Sequence, residues 1–187
     1  MSTKNGKGKP DIKKMLRQAK LPETTVPVCL RGDLQAEFER LDRALSSDEQ
    51  QRDDSLAGDG GRAVAEQIEA LRAEMRGHTV DFRLRAMKRP DWRELMNAHP
   101  PRRAEDGSVD DRDKFVGVNV ETFFAAMVRA CVVEPELDEE DWTLLLDEAL
   151  TDRQFNELSD AAWMLNRGQV KIPFSPAASK ILRSDSE

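Results

Sequence analysis

GVNVETFFAAMVRACVVEPELDEEDWTLLLDEALTDRQFNELSDAAWMLNRGQVKIPFSPAAS, residues 117–179, carries four helix signatures in succession, each with its own cap and its own apolar face. Asn119 suits the N-cap of a helix whose Val120, Phe123, Phe124, Met127, Val128, Cys131 and Val132 recur at helical spacing, the best core helix in the chain. Pro135 breaks it. Asp138 then caps a helix bearing Trp142, Leu145, Leu146 and Ala149, with Glu139, Glu140 and Asp141 placed at the positive end of its dipole. Thr151 with Gln154 forms a capping box that leads into Phe155, Leu158, Ala162 and Leu165, and Gly168 is a natural C-cap. Residues 170–172 read as extended up to Pro173, and Ser175 before Pro176 announces a short helix over 177–182 and a frayed tail at 184–187. No catalytic motif lies in this stretch, so it reads as a surface for holding another chain.

Outward from it, the pattern changes period. Residues 25–30 alternate through Val26, Val28 and Leu30, with Pro27 suited to an edge strand, and residues 79–86 alternate through Val80, Phe82, Leu84 and Ala86 while Asp81, Arg83 and Arg85 face water. Two isolated strands of this length are marginal, and they most simply pair with each other. Between them lie two equal stripes, Leu34, Phe38, Leu41, Leu45 and Val64, Ile68, Leu71, Met75, which predict an antiparallel helical hairpin. Asp33 suits the N-cap of its first helix, and the polar, glycine-rich residues 46–61 its tip or a partial helix extension. Pro90 opens a further helix with Trp92, Leu95 and Met96 on one side, ended by His99-Pro100-Pro101, and the charged residues 102–114 read as a surface loop. The expected fold is mostly α: a multi-helix C-terminal bundle plus a two-stranded β-ribbon carrying an antiparallel helical hairpin. Its divisions are a basic flexible arm over 1–24, the ribbon with its inserted hairpin over 25–88, the helical domain over 89–183 and the tail.

The 187 residues are enough to bury a core, and with 35% charged residues and no apolar run of membrane-spanning length the chain is expected to stay in water. Residues 1–10 lack the apolar middle of a secretory signal, and the two cysteines, Cys29 and Cys131, sit in apolar contexts and read as buried thiols of a reducing compartment. The net charge of −7 is unevenly spread: residues 1–20 hold seven bases against the single acid Asp11. Such an arm meets phosphates through charge alone, yet charge alone does not designate a nucleic-acid partner over a solvated tail.

Signs of chemistry are sparse. The carboxylates fall on predicted helix exteriors or in loops, and His78 and His99 with Cys29 and Cys131 lack metal-ligand spacing. Gly58-Asp59-Gly60-Gly61 has neither a preceding strand nor the lysine of a phosphate loop, and no serine stands in a nucleophile elbow. No catalytic, cofactor-binding or metal residues are therefore assigned, and a non-enzymatic role is expected. Trp142 lies on its helix stripe, whereas Trp163 is one residue off the stripe of Phe155, Leu158, Ala162 and Leu165, which suits either an interface or a second packing face.

Four pieces, VPVCLRGDLQAEFERLD, VDFRLRAMKRPDWRELMNAHPPR, GVNVETFFAAMVRACVVEPEL and LTDRQFNELSDAAWMLNRGQVKIPFSPAAS, follow one another in an order that resembles tail assembly chaperones of long-tailed bacteriophages of actinobacteria. The resemblance covers residues 26–179, and its most particular parts are 117–124, 161–166 and 170–175. It implies a non-enzymatic factor of the host cell cytoplasm that binds the tape measure protein, keeps it soluble and promotes tail tube assembly around it. The chain is similar to the short form of that family, which implies the tail tube protein and a frameshifted longer form as further partners and leaves self-association open. Phe124, Met127, Trp142, Leu145, Phe155 and Trp163 are then the candidates for client contact. The alternatives are a structural, completion or adaptor protein retained in the virion and a small nucleic-acid-binding regulator using the basic arm, onto which the family resemblance does not extend.

Overall fold

The computed structural model describes residues 11–51 and 59–168. In chain order the elements are α1 (Ile12–Arg17), β1 (Glu23–Cys29), α2 (Gly32–Gln51), α3 (Asp59–Gly77), β2 (Thr79–Arg85), α4 (Arg89–Ala98), α5 (Asp111–Val116), α6 (Val120–Cys131), β3 (Val132–Glu134), α7 (Glu139–Leu144), a π-helical turn (Leu145–Ala149) and α8 (Asp152–Arg167). The chain is mostly helical with a small antiparallel sheet, as the caps and stripes predict. The expected extended piece at 170–172, the helix at 177–182, the tail, the first ten residues of the arm and residues 52–58 of the hairpin connection lie outside the described residues.

β1 and β2 pair as expected, with Val26 opposite Phe82 and Val28 opposite Val80, and Pro27 sits on an edge strand where its missing N–H is tolerated. The two-stranded ribbon is corrected to three strands: β3 adds to the far edge of β2, with Leu84 opposite Val132 and a register shift beside Arg83. Val132 was expected to end the core helix, but its backbone turns extended at φ −67° and ψ 124°. The β-branched pair Val132-Val133, followed by a residue that Pro135 holds out of helical geometry, favours extended backbone, and the open edge of β2 supplies its hydrogen bonds. On the outer face of the sheet Arg83 joins all three strands, donating to Glu23 at 2.9 Å and to both oxygens of Glu134 at 3.0 and 2.5 Å.

The inner face carries Val28, Phe82 and Leu84 into one cluster with Val118, Phe123, Met127, Val128, Cys131, Leu158 and Ala162, so residues on both sides of position 88 share a core. α6 is its centre. Asn119 accepts from the Glu121 N–H at 3.0 Å, and Phe123, Met127, Val128 and Cys131 are fully buried. The capping boxes at Asp138 and Thr151 both form, with Asp141 and Gln154 returning to the cap nitrogens. Gln154 serves twice, since its Nε2 also donates to the Cys29 carbonyl at 2.7 Å and ties the start of α8 to the end of β1.

α2 and α3 form the expected hairpin, inserted between β1 and β2 and closed at its base by the Leu30 N–H on the His78 carbonyl at 3.0 Å. Leu34, Leu41 and Ile68 are buried in its seam, while Phe38, Leu45, Val64, Leu71 and Met75 stay half-buried, because two helices alone cover only one side of each stripe. Two local expectations change here. Leu30 lies beyond the strand and is exposed, and Asp33 is inside the first turn, where Arg31 grips both its oxygens and holds its carboxyl down at about 2.

The charged stretch 102–114 is a loop only as far as residue 110, and its end belongs to α5. Arg103 and Val109 bridge across a turn with Gly107 at φ 82°, and Asp110 caps α5. Asp113 is wholly buried and accepts from the backbone and side chain of Arg102 at 2.7, 2.9 and 2.8 Å and from the Val120 N–H at 3.1 Å. These charge-assisted bonds hold its carboxyl well below the ordinary carboxylate range, Arg102 contributing most.

Candidate functional site

The six sequence candidates separate by depth. Met127 is completely buried and Trp142 and Leu145 nearly so, which places them in the core of this structure, whereas Phe124, Phe155 and Trp163 are half-buried. Trp163 belongs to an aromatic group, with ring centroids 5.8 Å from Trp92, 6.2 Å from Phe123 and 6.0 Å from Phe124, and Arg167 lies 4.9 Å above its ring. The edge-on angle of Trp92 to Phe123, 85°, is that of a packed aromatic pair. Trp163 thus uses the second face of α8 to pack against α4 and α6, and its neighbour Met164, 63% exposed, is what faces water.

Phe155 stands elsewhere. It lines an open groove of about 500 Å³ together with Leu146 and Asp147 of the π-helical turn and Glu121, Thr122, Ala125, Ala126 and Arg129 of α6. α6 contributes small residues here because Phe123, Met127, Val128 and Cys131 turn into the core. Thr122, Ala125, Ala126 and Arg129 recur at i, i+3, i+4 and i+7, a second, small-residue stripe on the solvent side of the core helix. The π-helical turn sets its own contribution: the Leu150 N–H reaches back to the Leu145 carbonyl at 3.0 Å, which keeps Leu145 in the core and leaves Leu146 half-buried at the groove. Arg129 marks one rim, donating to Glu139 at 2.8 Å with its guanidinium 5.6 Å from the Trp142 ring, and Glu121 and Asp147 mark the others.

The stretch that supplies Leu146, Asp147 and Phe155 is acidic, while Arg129 lines the α6 side and Arg102 and Arg112 pair with Glu121 there. Residues 134–160 contain eleven acids and the single base Arg153. Leu144, 53% exposed, is an apolar residue standing free among them. The sequence reading had Phe155 and Leu146 as apolar positions and missed the alanine stripe. Its signal was visible as the spacing of Thr122, Ala125, Ala126 and Arg129, but small residues on a solvent face give no hydrophobic period.

A second cleft, of about 350 Å³, lies where the end of β1 meets α2 and α8, between Gly32, Gln35, Arg153 and Glu157. Cys29 at its edge is half-buried, with its Sγ 3.9 Å from the carbonyl oxygens of Arg31 and Met75, so only Cys131 is a fully buried thiol. Burial pushes the Cys131 thiol up, and Asn166 donates to its sulfur at 3.3 Å. Among the described residues no three His, Cys, Asp or Glu side chains gather in a metal-holding arrangement, and no helix is long and apolar enough to cross a membrane. The lowered carboxyls of Glu23, Asp33, Glu37, Asp113 and Glu134 are all accounted for first by hydrogen bonds from arginine. Neither a family model, nor a curated protein, nor a solved structure matches this chain.

Proposed function

We propose that this protein is a non-enzymatic phage tail assembly chaperone that holds amphipathic helices of the tape measure protein and promotes tail tube assembly around it in the host cytoplasm. The observation that carries the reading is the groove: Ala125, Ala126, Leu146 and Phe155 give it an apolar part bordered by Glu121, Thr122, Arg129 and Asp147, the mix that an amphipathic helix presents, and helix-in-groove binding needs no catalytic group. The acidic shell of residues 134–160 keeps a complex with an apolar client soluble. The resemblance of residues 117–124 and 161–166 to the chaperone family names the client.

Co-expression with the tape measure protein of the same genome tests it. The client should stay soluble and co-purify with this chain, and replacing Ala126 by Trp, which fills the groove from α6, should weaken capture about tenfold. A client that stays soluble without co-purifying ends the proposal. Mass spectrometry of purified virions separates a departing chaperone, absent or substoichiometric, from a retained tail component.

A further inference from the structure

Every side chain that lines the groove beside Phe155 belongs to a helical element: α6, the π-helical turn or α8. No strand edge borders it among the lining residues, so an incoming chain finds no ladder of backbone partners and must satisfy its own N–H and C=O groups, as a helix does. The small side chains of Ala125 and Ala126 leave room that bulky residues recurring at i, i+3 and i+4 on such a helix fill. The groove also carries three charges, and two of them are already answered. Glu121 pairs with Arg102 and, at 3.0 Å, with Arg112, while Arg129 donates to Glu139 at 2.8 Å and lies over the Trp142 ring. Asp147 is exposed and has no ion pair or side-chain hydrogen bond among the described residues. The uncompensated charge of the groove is therefore a single carboxylate.

We infer that the groove selects its client helix by charge as well as by shape: the helix it takes carries a stripe of Leu- or Met-sized residues with a lysine or arginine beside the stripe, and Asp147 is the residue that reads that base. The inference rests on the groove as the client seat and adds the sequence rule for what sits there. A base beside the stripe meets the one carboxylate that lacks a partner. An acid at the same place meets it unscreened by any paired arginine, so the groove rejects one helix as it accepts the other. Leu144, three residues before Asp147 and 53% exposed, gives the aliphatic stem of the base an apolar side chain to lie against. Because Asp147 is exposed, the selection is modest, and exchanging attraction for repulsion changes affinity about fivefold.

Fluorescence anisotropy with the full chain and two labelled synthetic helices tests it. Both peptides are about 20 residues long and share one leucine stripe, flanked by lysine in the first and by glutamate in the second. Salt of about 0.15 M screens acids that lie more than about 8 Å away. The lysine peptide should bind about fivefold more tightly than the glutamate peptide. Asp147→Asn should bring the two within about twofold and Asp147→Lys should invert the preference. Glu140→Lys, the same change of charge on α7 away from the groove lining, should leave it in place. Ala126→Trp and Phe155→Ser, which leave every charge alone, should each weaken both peptides without altering near-ultraviolet dichroism. Equal affinity for the two peptides overturns the inference, as does a failure of both to bind at about 100 µM. A preference that Glu140→Lys removes as fully as Asp147→Lys belongs to the acidic stretch at large and overturns it too. Binding that survives both groove substitutions places the peptides elsewhere, with the same consequence. Capture of the tape measure protein without a peptide preference ends this inference and leaves the chaperone reading, whereas a preference that follows Asp147 without client capture does the reverse.

Discussion

Asp113 shows how one buried charge organises its surroundings. Its carboxylate closes the turn of Arg102, receives the first free N–H of α6 and lies in no contact with solvent, so Asp113→Asn removes the charge that three of those bonds depend on. The folded carboxyl titrates below its ordinary 3.8, so its stabilisation is complete above that pH and disappears as pH falls through the lowered folded value. Thermal melts should therefore show Asp113→Asn several degrees below wild type at pH 7, and the gap should narrow below about pH 4 as the wild-type carboxylate is itself protonated. A gap independent of pH would place the loss in packing. Gly117 gives a second test at this scale: it ends α5 in the left-handed region at φ 80°, with no atom within 4 Å of where a Cβ would stand. Gly117→Ala should lower the urea-unfolding free energy by about 1–2 kcal/mol, all of it from backbone conformation.

Among the elements, α6 and α8 carry two faces each, and the difference between the faces separates stability from binding. Trp163 packs with Trp92, Phe123 and Phe124, so Trp163→Ala should cost about 2–3 kcal/mol in chemical denaturation. Phe155 lines the open groove and is half-buried, and Phe155→Ser should cost less than Trp163→Ala while impairing whatever occupies the groove. The opposite ranking would move the binding surface to the aromatic group. The caps of these helices were legible residue by residue, because Asn119, Asp138 and Thr151 act within their own turn. β3 was not. Three residues beside a proline carry too short a pattern for a period, and only the open edge of β2 makes them a strand.

At the scale of the molecule, the body is held by one core and the α2–α3 hairpin by its own seam, so the two should open with different free energies. Native-state hydrogen exchange should give lower protection to α2 and α3 than to α6. Leu41→Ala should cost about 2 kcal/mol against about 4 for Phe123→Ala, and equal protection throughout would mean that the hairpin docks on the body. The sequence by itself determined the helical class, the pairing of β1 with β2, the hairpin and most helix ends, since amphipathic period and capping are properties of neighbours within one turn or one pair of strands. Only the tertiary structure decided which apolar residues are core and which remain open. Met127 and Phe155 stand alike on their stripes, yet one is fully buried in the core and the other borders a groove. The burial of Asp113 and the joining of β3 to the sheet were likewise decided there, because each depends on a partner, Arg102 or Leu84, whose distance in space the chain order does not state.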